Sequence, residues 1–261
     1  MEGIAIGLTV PFLGTVIGAA FVFFMRHEMN GRLQKSLLGF ASGVMVAAAF
    51  WSLLLPSLDF TADAEGMARV MPSAVGFLMG MGFLLAIDHF TPHLHIGDDH
   101  PEGMRSHLSR TTMLSLAVTI HNLPEGMAVG VVLAGFLAGD MGISATAVIT
   151  MAVGICIQNI PEGAIVSMPL KAEGNTKKKA FTIGALSGIV EPIGALLVIT
   201  LTQWFTPILP YMLAFAAGSM LYVVIEELIP EASSGEHSNL STIGFAVGFV
   251  LMMILDVVLG N

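Results

Sequence analysis

Three carboxylic acids and one imidazole stand where this chain is otherwise apolar: His121 with Glu125, then Glu162, then Glu191. The first two belong to the hexamer His121-Asn122-Leu123-Pro124-Glu125-Gly126. Glu162 belongs to a near-copy, Gln158-Asn159-Ile160-Pro161-Glu162-Gly163. On a helix, residues four apart share a face, so His121 and Glu125 point together, and Asn122 joins Glu125 at a spacing of three. Gln158, Asn159 and Glu162 repeat that geometry on a second segment. Pro124 and Pro161 each lack an N–H and free the carbonyl one turn earlier, at Ile120 and Ile157. In an apolar medium such carbonyls persist only where something satisfies them. A kink at either proline would also open a gap between helices. Carboxylate, imidazole and amide oxygen side by side suit a divalent transition ion such as Zn²⁺, Fe²⁺, Mn²⁺ or Cd²⁺. Mg²⁺ and Ca²⁺ prefer sites made of oxygen alone.

The segments that must position these residues are membrane helices. Hydrophobic residues make up 55% of the 261 and charged residues only 11%, against about a quarter charged in soluble domains. Mean hydropathy is +0.84. A spanning helix needs about 20 mainly apolar residues. Stretches of that kind cover residues 3–25, 36–58, 70–88, 111–139, 142–170, 180–204, 207–230 and 240–260. The expected fold is thus an all-α polytopic membrane protein of eight transmembrane helices in one domain, residues 1–261. The opening Met-Glu-Gly-Ile lacks the basic region of a signal peptide, so the first helix reads as retained. Arg26, Arg32, Lys35, Arg105, Arg110, Lys171, Lys177, Lys178 and Lys179 all fall after helices one, three and five, and only Arg69 falls on the other side. The basic side should be cytoplasmic, which puts both termini outside. Phe40-Ala41-Ser42-Gly43-Val44-Met45 is repeated by Phe215-Ala216-Ala217-Gly218-Ser219-Met220, with Pro56 and Pro230 following at nearly equal distance. Helices one to three would then recur as helices six to eight around a central pair. That is the 3+2+3 inverted repeat of secondary transporters, whose site lies near the midplane.

One carboxylate at a helix centre costs about 2.5–3.5 kcal/mol on insertion scales. Glu125, Glu162 and Glu191 must therefore face an interior, and there they repel one another unless protonated or bridged by cations. All ten Lys and Arg residues lie in loops, so the natural partner is a bound cation. Several function classes drop out. A net charge of −9 without a basic patch is no nucleic-acid footprint. The single cysteine, Cys156, excludes an internal disulfide and a Cys-based zinc finger. No H-E-x-x-H motif is present, which argues against a metalloprotease and for a non-enzyme. An intramembrane metalloenzyme is the weaker alternative. A metal-selective cation channel is the stronger, since acid rings also line pores. Asp88, His89, His93, His95, Asp98, Asp99, His100 and His107 open or fill the loop at 89–110. Asp88, His89 and His93, with Glu226 and Glu227, form the expected exit pathway. Asp59, Asp63 and Glu65 make an acidic outer loop, and Asp256 near the outer end of helix eight is placed equally to guard an entrance or to cap a helix contact.

The paired hexamers resemble the ZIP (Zrt-, Irt-like protein) family of divalent metal transporters, and most closely its bacterial branch. Eight helices, outside termini and a His-containing loop after helix three are similar too, so the likeness covers the whole chain. It implies transport of Zn²⁺, or of Fe²⁺, Mn²⁺ or Cd²⁺, into the cytoplasm, with the ion as substrate and no catalytic cofactor. It also implies a site on helices four, five and six, a bacterial plasma (inner) membrane location, and a homodimer as the usual assembly. By resemblance His121, Glu125, Gln158 and Glu162 hold a first metal. Asn122, Asn159, Glu125, Glu162 and Glu191 hold or bridge a second. The chain departs from the family at Gln158, where many members have His, and at Asn159, where some have an acid. A neutral Asn159 leaves the second position one charge poorer, so that position is expected to be weak or empty.

Overall fold

The computed structural model describes residues 2–24, 30–92, 103, 110–139, 143–172, 174–202, 208–235 and 238–259. The side chains of residues 2, 110–112, 114, 115, 117, 118, 121 and 202 lie outside that description. His93 and most of the loop at 89–110 fall outside it as well. Among the described residues the structure is helical throughout, as the hydropathy pattern requires. In chain order the rods are α1 (Glu2–Ala20), α2 (Gly31–Asp59), α3 (Met67–Phe90) and α4 (Arg110–Ala138). They continue as α5 (Ala145–Ala172), α6 (Lys177–Ser187 and Val190–Thr202), α7 (Leu209–Ser233) and α8 (Leu240–Leu259). Seven of these are long and apolar enough to cross a membrane by themselves, and α4 contributes the shorter apolar helix Asn122–Ala138. The side chain of Asn30 caps α2 by accepting from the Arg32 N–H at 2.9 Å. Thr176 caps α6 in the same way through the Lys179 N–H.

Prolines alter the winding, though not where the hexamers suggested. Pro124 and Pro161 lie inside unbroken helices. The changes come just before Pro56, Pro192 and Pro230. In α2 a π-helical stretch, Ala49–Leu54, precedes Pro56. In α7 a second one, Val224–Leu228, precedes Pro230. Ahead of Pro192, α6 is interrupted at Gly188 and Ile189, and the Gly188 carbonyl accepts from the Glu191 N–H at 3.1 Å. In each case the proline cannot donate to the carbonyl four residues back, and the chain widens or breaks at that point.

The rods pair closely: α2 with α8, α1 with α5, α3 with α7, and α4 with α6. Small residues bring the backbones together. A Cβ on Gly43 would collide with the Phe245 carbonyl, and one on Gly248 with the Phe40 carbonyl. Likewise Gly218 faces the Phe77 carbonyl and Gly80 the Phe215 carbonyl. The α2–α8 and α3–α7 contacts are thus built on one pattern, with Gly43 and Gly218 at corresponding places in the repeated hexapeptides. Both pairs join a set made of α2, α3, α7 and α8; α1, α4, α5 and α6 form the other. At one end of the first set, Ser57 donates to the Pro210 carbonyl and shares a hydrogen bond with Ser73, each at 2.7 Å. Met45, Leu53, Leu133, Met151, Ile155, Leu213, Met220 and Met252 are fully buried where the two sets meet. Leu78, Met79, Leu85, Ile193, Leu197, Ile243 and Val247 point outward and exposed. A bilayer, not water, is the solvent that suits such a surface.

Candidate metal site

The described polar side chains of the two hexamers are turned inward. Asn122 and Glu125 on α4, and Gln158 and Asn159 on α5, are all buried, as is Glu191 just past the interruption in α6. Glu162 is half-buried on the same helix as Gln158. Hydrogen bonds tie these helices to one another. Gln158 Nε2 donates to Glu125 Oε1 at 2.7 Å. Asn159 Nδ2 donates to Glu191 Oε2 at 2.8 Å and to the Pro11 carbonyl of α1 at 3.2 Å. Thr15 Oγ1, also on α1, donates to Glu191 Oε1 at 2.9 Å.

Four oxygens in this cluster have no hydrogen-bond partner among the described residues: Asn122 Oδ1, Glu125 Oε2, Gln158 Oε1 and Asn159 Oδ1. A buried acceptor left unsatisfied costs about 1–3 kcal/mol. Four together approach the whole stability of a domain, which is about 5–15 kcal/mol. Water could serve a few of them, but the surrounding charge is uniformly negative. Among the described residues the buried charged side chains are Asp88, Glu125, Glu191 and Glu227, none of them basic. The donor set therefore fits a cation held by carboxylate and amide oxygens. No three His, Cys, Asp or Glu side chains among the described residues gather closely enough to enclose an ion unaided. Glu191 is drawn off by Thr15 and Asn159, so the amides have to complete any site. The His121 side chain lies outside the described residues.

Further polar groups lie at two other places along the helices. Ser52, carried on the π stretch of α2, donates to Asp256 Oδ1 at 2.6 Å, while Asp256 Oδ2 has no partner among the described residues. They line a cavity of about 250 Å³ with Trp51, Asp59, Val132, Ile143 and Ala147. At the other end Tyr222 Oη donates to Asp88 Oδ2 at 3.0 Å, and Glu227 lies buried on the π stretch of α7. The expected exit residues thus divide. Asp88 and Glu227 face inward, whereas Glu226 is exposed and so is His89, its ring packed edgewise on Phe90. His93 lies outside the described residues. Sequence reasoning missed Thr15, Pro11, Ser52 and Tyr222. For Ser52 the signal was available in its place four residues before Pro56.

Comparison with known proteins agrees with this chemistry. Residues 95–256 match the family described as ZIP Zinc transporter. The chain is similar to the Zinc transporter ZIPB of Bordetella bronchiseptica, 36% identical, covering 98% of this chain and 81% of that protein. It is similar to the Zinc transporter ZIP11 of Homo sapiens, 35% identical over 94% of each. The Zinc transporter GufA of Myxococcus xanthus is 34% identical, over 97% of this chain and 99% of that one.

Proposed function

The chain belongs to the ZIP zinc transporter family, a family of transporters and not of enzymes, and from that premise we propose that it carries Zn²⁺ into the cytoplasm through the α4–α5–α6 site. Fe²⁺, Mn²⁺ and Cd²⁺ fit the same ligands. The single observation behind this reading is the set of four unpartnered oxygens on Asn122, Glu125, Gln158 and Asn159. His121, Glu125, Gln158 and Glu162 would hold the first ion, with His121 supplying the nitrogen that favours a transition metal. Asn122, Asn159 and Glu191, with Glu125 and Glu162, would offer a second, weaker position.

The ion would enter by the cavity at Ser52, Asp59 and Asp256, where a carboxylate oxygen already stands without a partner. It would leave past Asp88 and Glu227, with His89, His93 and Glu226 farther out. Both approaches meet the helices at a π stretch, and such stretches recur at functional sites. Eight spans in a 3+2+3 inverted repeat suit this path. The matched glycine contacts of α2–α8 and α3–α7 support the repeat. The unit α1, α4, α5 and α6 would move against α2, α3, α7 and α8 to expose the site to each side in turn. The surplus of basic residues in the loops after α1, α3 and α5 supports outside termini.

Uptake of radiolabelled Zn²⁺ into proteoliposomes tests this reading. Flux should saturate, which separates carrier from channel, and Glu125→Ala and Glu162→Ala should abolish it. Uptake that ignores both substitutions would refute the assigned pathway.

A further inference from the structure

Asn159 has two amide hydrogens, and acceptors stand ready for both: the Pro11 carbonyl at 3.2 Å and Glu191 Oε2 at 2.8 Å. A backbone carbonyl can only accept. The edge of the amide that meets Pro11 must therefore be the NH₂, whatever the protonation of Glu191. Asn159 Oδ1 is turned the other way, buried and without a partner among the described residues. Thr15 fixes the other half of the arrangement. A helical threonine ordinarily bonds back to the carbonyl four residues earlier, as Thr9 does to Ala5 at 2.6 Å. Thr15 instead crosses to α6 and holds Glu191 Oε1 at 2.9 Å. It is 1% exposed.

The backbone is built to keep it there. A Cβ on Gly163 would collide with the Thr15 carbonyl, and one on Gly14 with the Cys156 carbonyl, so α1 lies directly on α5. At the interruption in α6, a Cβ on Gly188 would stand 2.9 Å from both Glu191 Oε1 and Thr15 Oγ1. Glycine at that position lets α6 approach α1 closely enough for the hydrogen bond.

We propose that Thr15 and the Pro11 carbonyl are positioning groups of the transport site: the carbonyl holds Asn159 with Oδ1 presented to the ion, and Thr15 fixes Glu191, the acceptor of the other amide hydrogen. The inference rests on the transport reading above. It brings α1, on which the sequence placed no ligand, into the site through two contacts.

Radiolabelled Zn²⁺ uptake by the full chain in proteoliposomes decides it, with wild type, Glu125→Ala, Thr15→Val and Thr15→Ser compared. Valine matches threonine in shape but has no donor. Thr15→Val should raise KM about tenfold, the effect of losing one hydrogen bond to a charged group, and leave Vmax per folded transporter unchanged. Thr15→Ser should restore the wild-type KM. A role in packing alone would instead lower the yield of folded protein or Vmax. An unchanged KM in Thr15→Val overturns the proposal. Should that variant not be recovered folded, Thr15→Ala, which only removes atoms, is measured in its place; its KM should rise as far, and an unchanged KM is equally decisive. Wild type without uptake, or Glu125→Ala with it, would defeat the transport reading instead.

Discussion

At the scale of single residues, the amide of Asn159 puts a donor where an acid would put an oxygen. Its NH₂ faces the Pro11 carbonyl and Glu191, both acceptors. Asn159→Asp puts an oxygen there. Without metal that oxygen lacks a donor beside another carboxylate, which costs about 1–3 kcal/mol, so the metal-free variant should melt lower. With metal it supplies the missing charge, and Zn²⁺ titration should move from one tight ion per protomer to two. Calorimetric stoichiometry checks this, and two equally tight ions in wild type would remove its basis. The acids of this site were legible in the sequence because charge in an apolar helix has no bland use. Thr15 was not, since a helical hydroxyl can satisfy itself on its own backbone, as Thr9 does. Only the fold distinguishes the two.

At the scale of helices, backbone contact between rods holds the scaffold pairs together. Gly218 lies against the Phe77 carbonyl, whereas nothing stands within 4 Å of where a Cβ on Gly82 would be. Gly218→Ala must push α7 from α3 and should destabilise by about 1–3 kcal/mol. Gly82→Ala, on the exposed side of α3, should be neutral or stabilise by up to about 1 kcal/mol, since it removes only backbone freedom. Thermal unfolding in detergent compares the two; equal effects would mean that the glycine contacts do not limit the pairing. The rods themselves were legible from hydropathy. Their changes of winding were not, because a proline marks a missing donor without saying how the helix accommodates it. Pro124 and Pro161 are absorbed inside unbroken helices, while Pro56 and Pro230 follow π stretches and Pro192 follows a break.

At the scale of the whole molecule, alternating access requires that the two four-helix sets change their relation while each stays intact. The strong pairings all fall within a set, whereas between sets Gly154 of α5 faces the flexible Met252 side chain of α8. Two engineered disulfides distinguish these cases in a Cys156→Ala background. Ser57→Cys with Ser73→Cys bridges α2 and α3 inside one set, where the hydroxyls are 2.7 Å apart. Gly154→Cys with Met252→Cys bridges the two sets. Zn²⁺ uptake should survive the first bridge. It should stop with the second and return on reduction, because a disulfide allows Cα atoms no more than about 7 Å of separation. Each bridge is confirmed by peptide mapping before flux is read. Full uptake with the second bridge closed would mean that the ion passes without the sets moving past one another, and the carrier reading would give way to a channel through the same ligands.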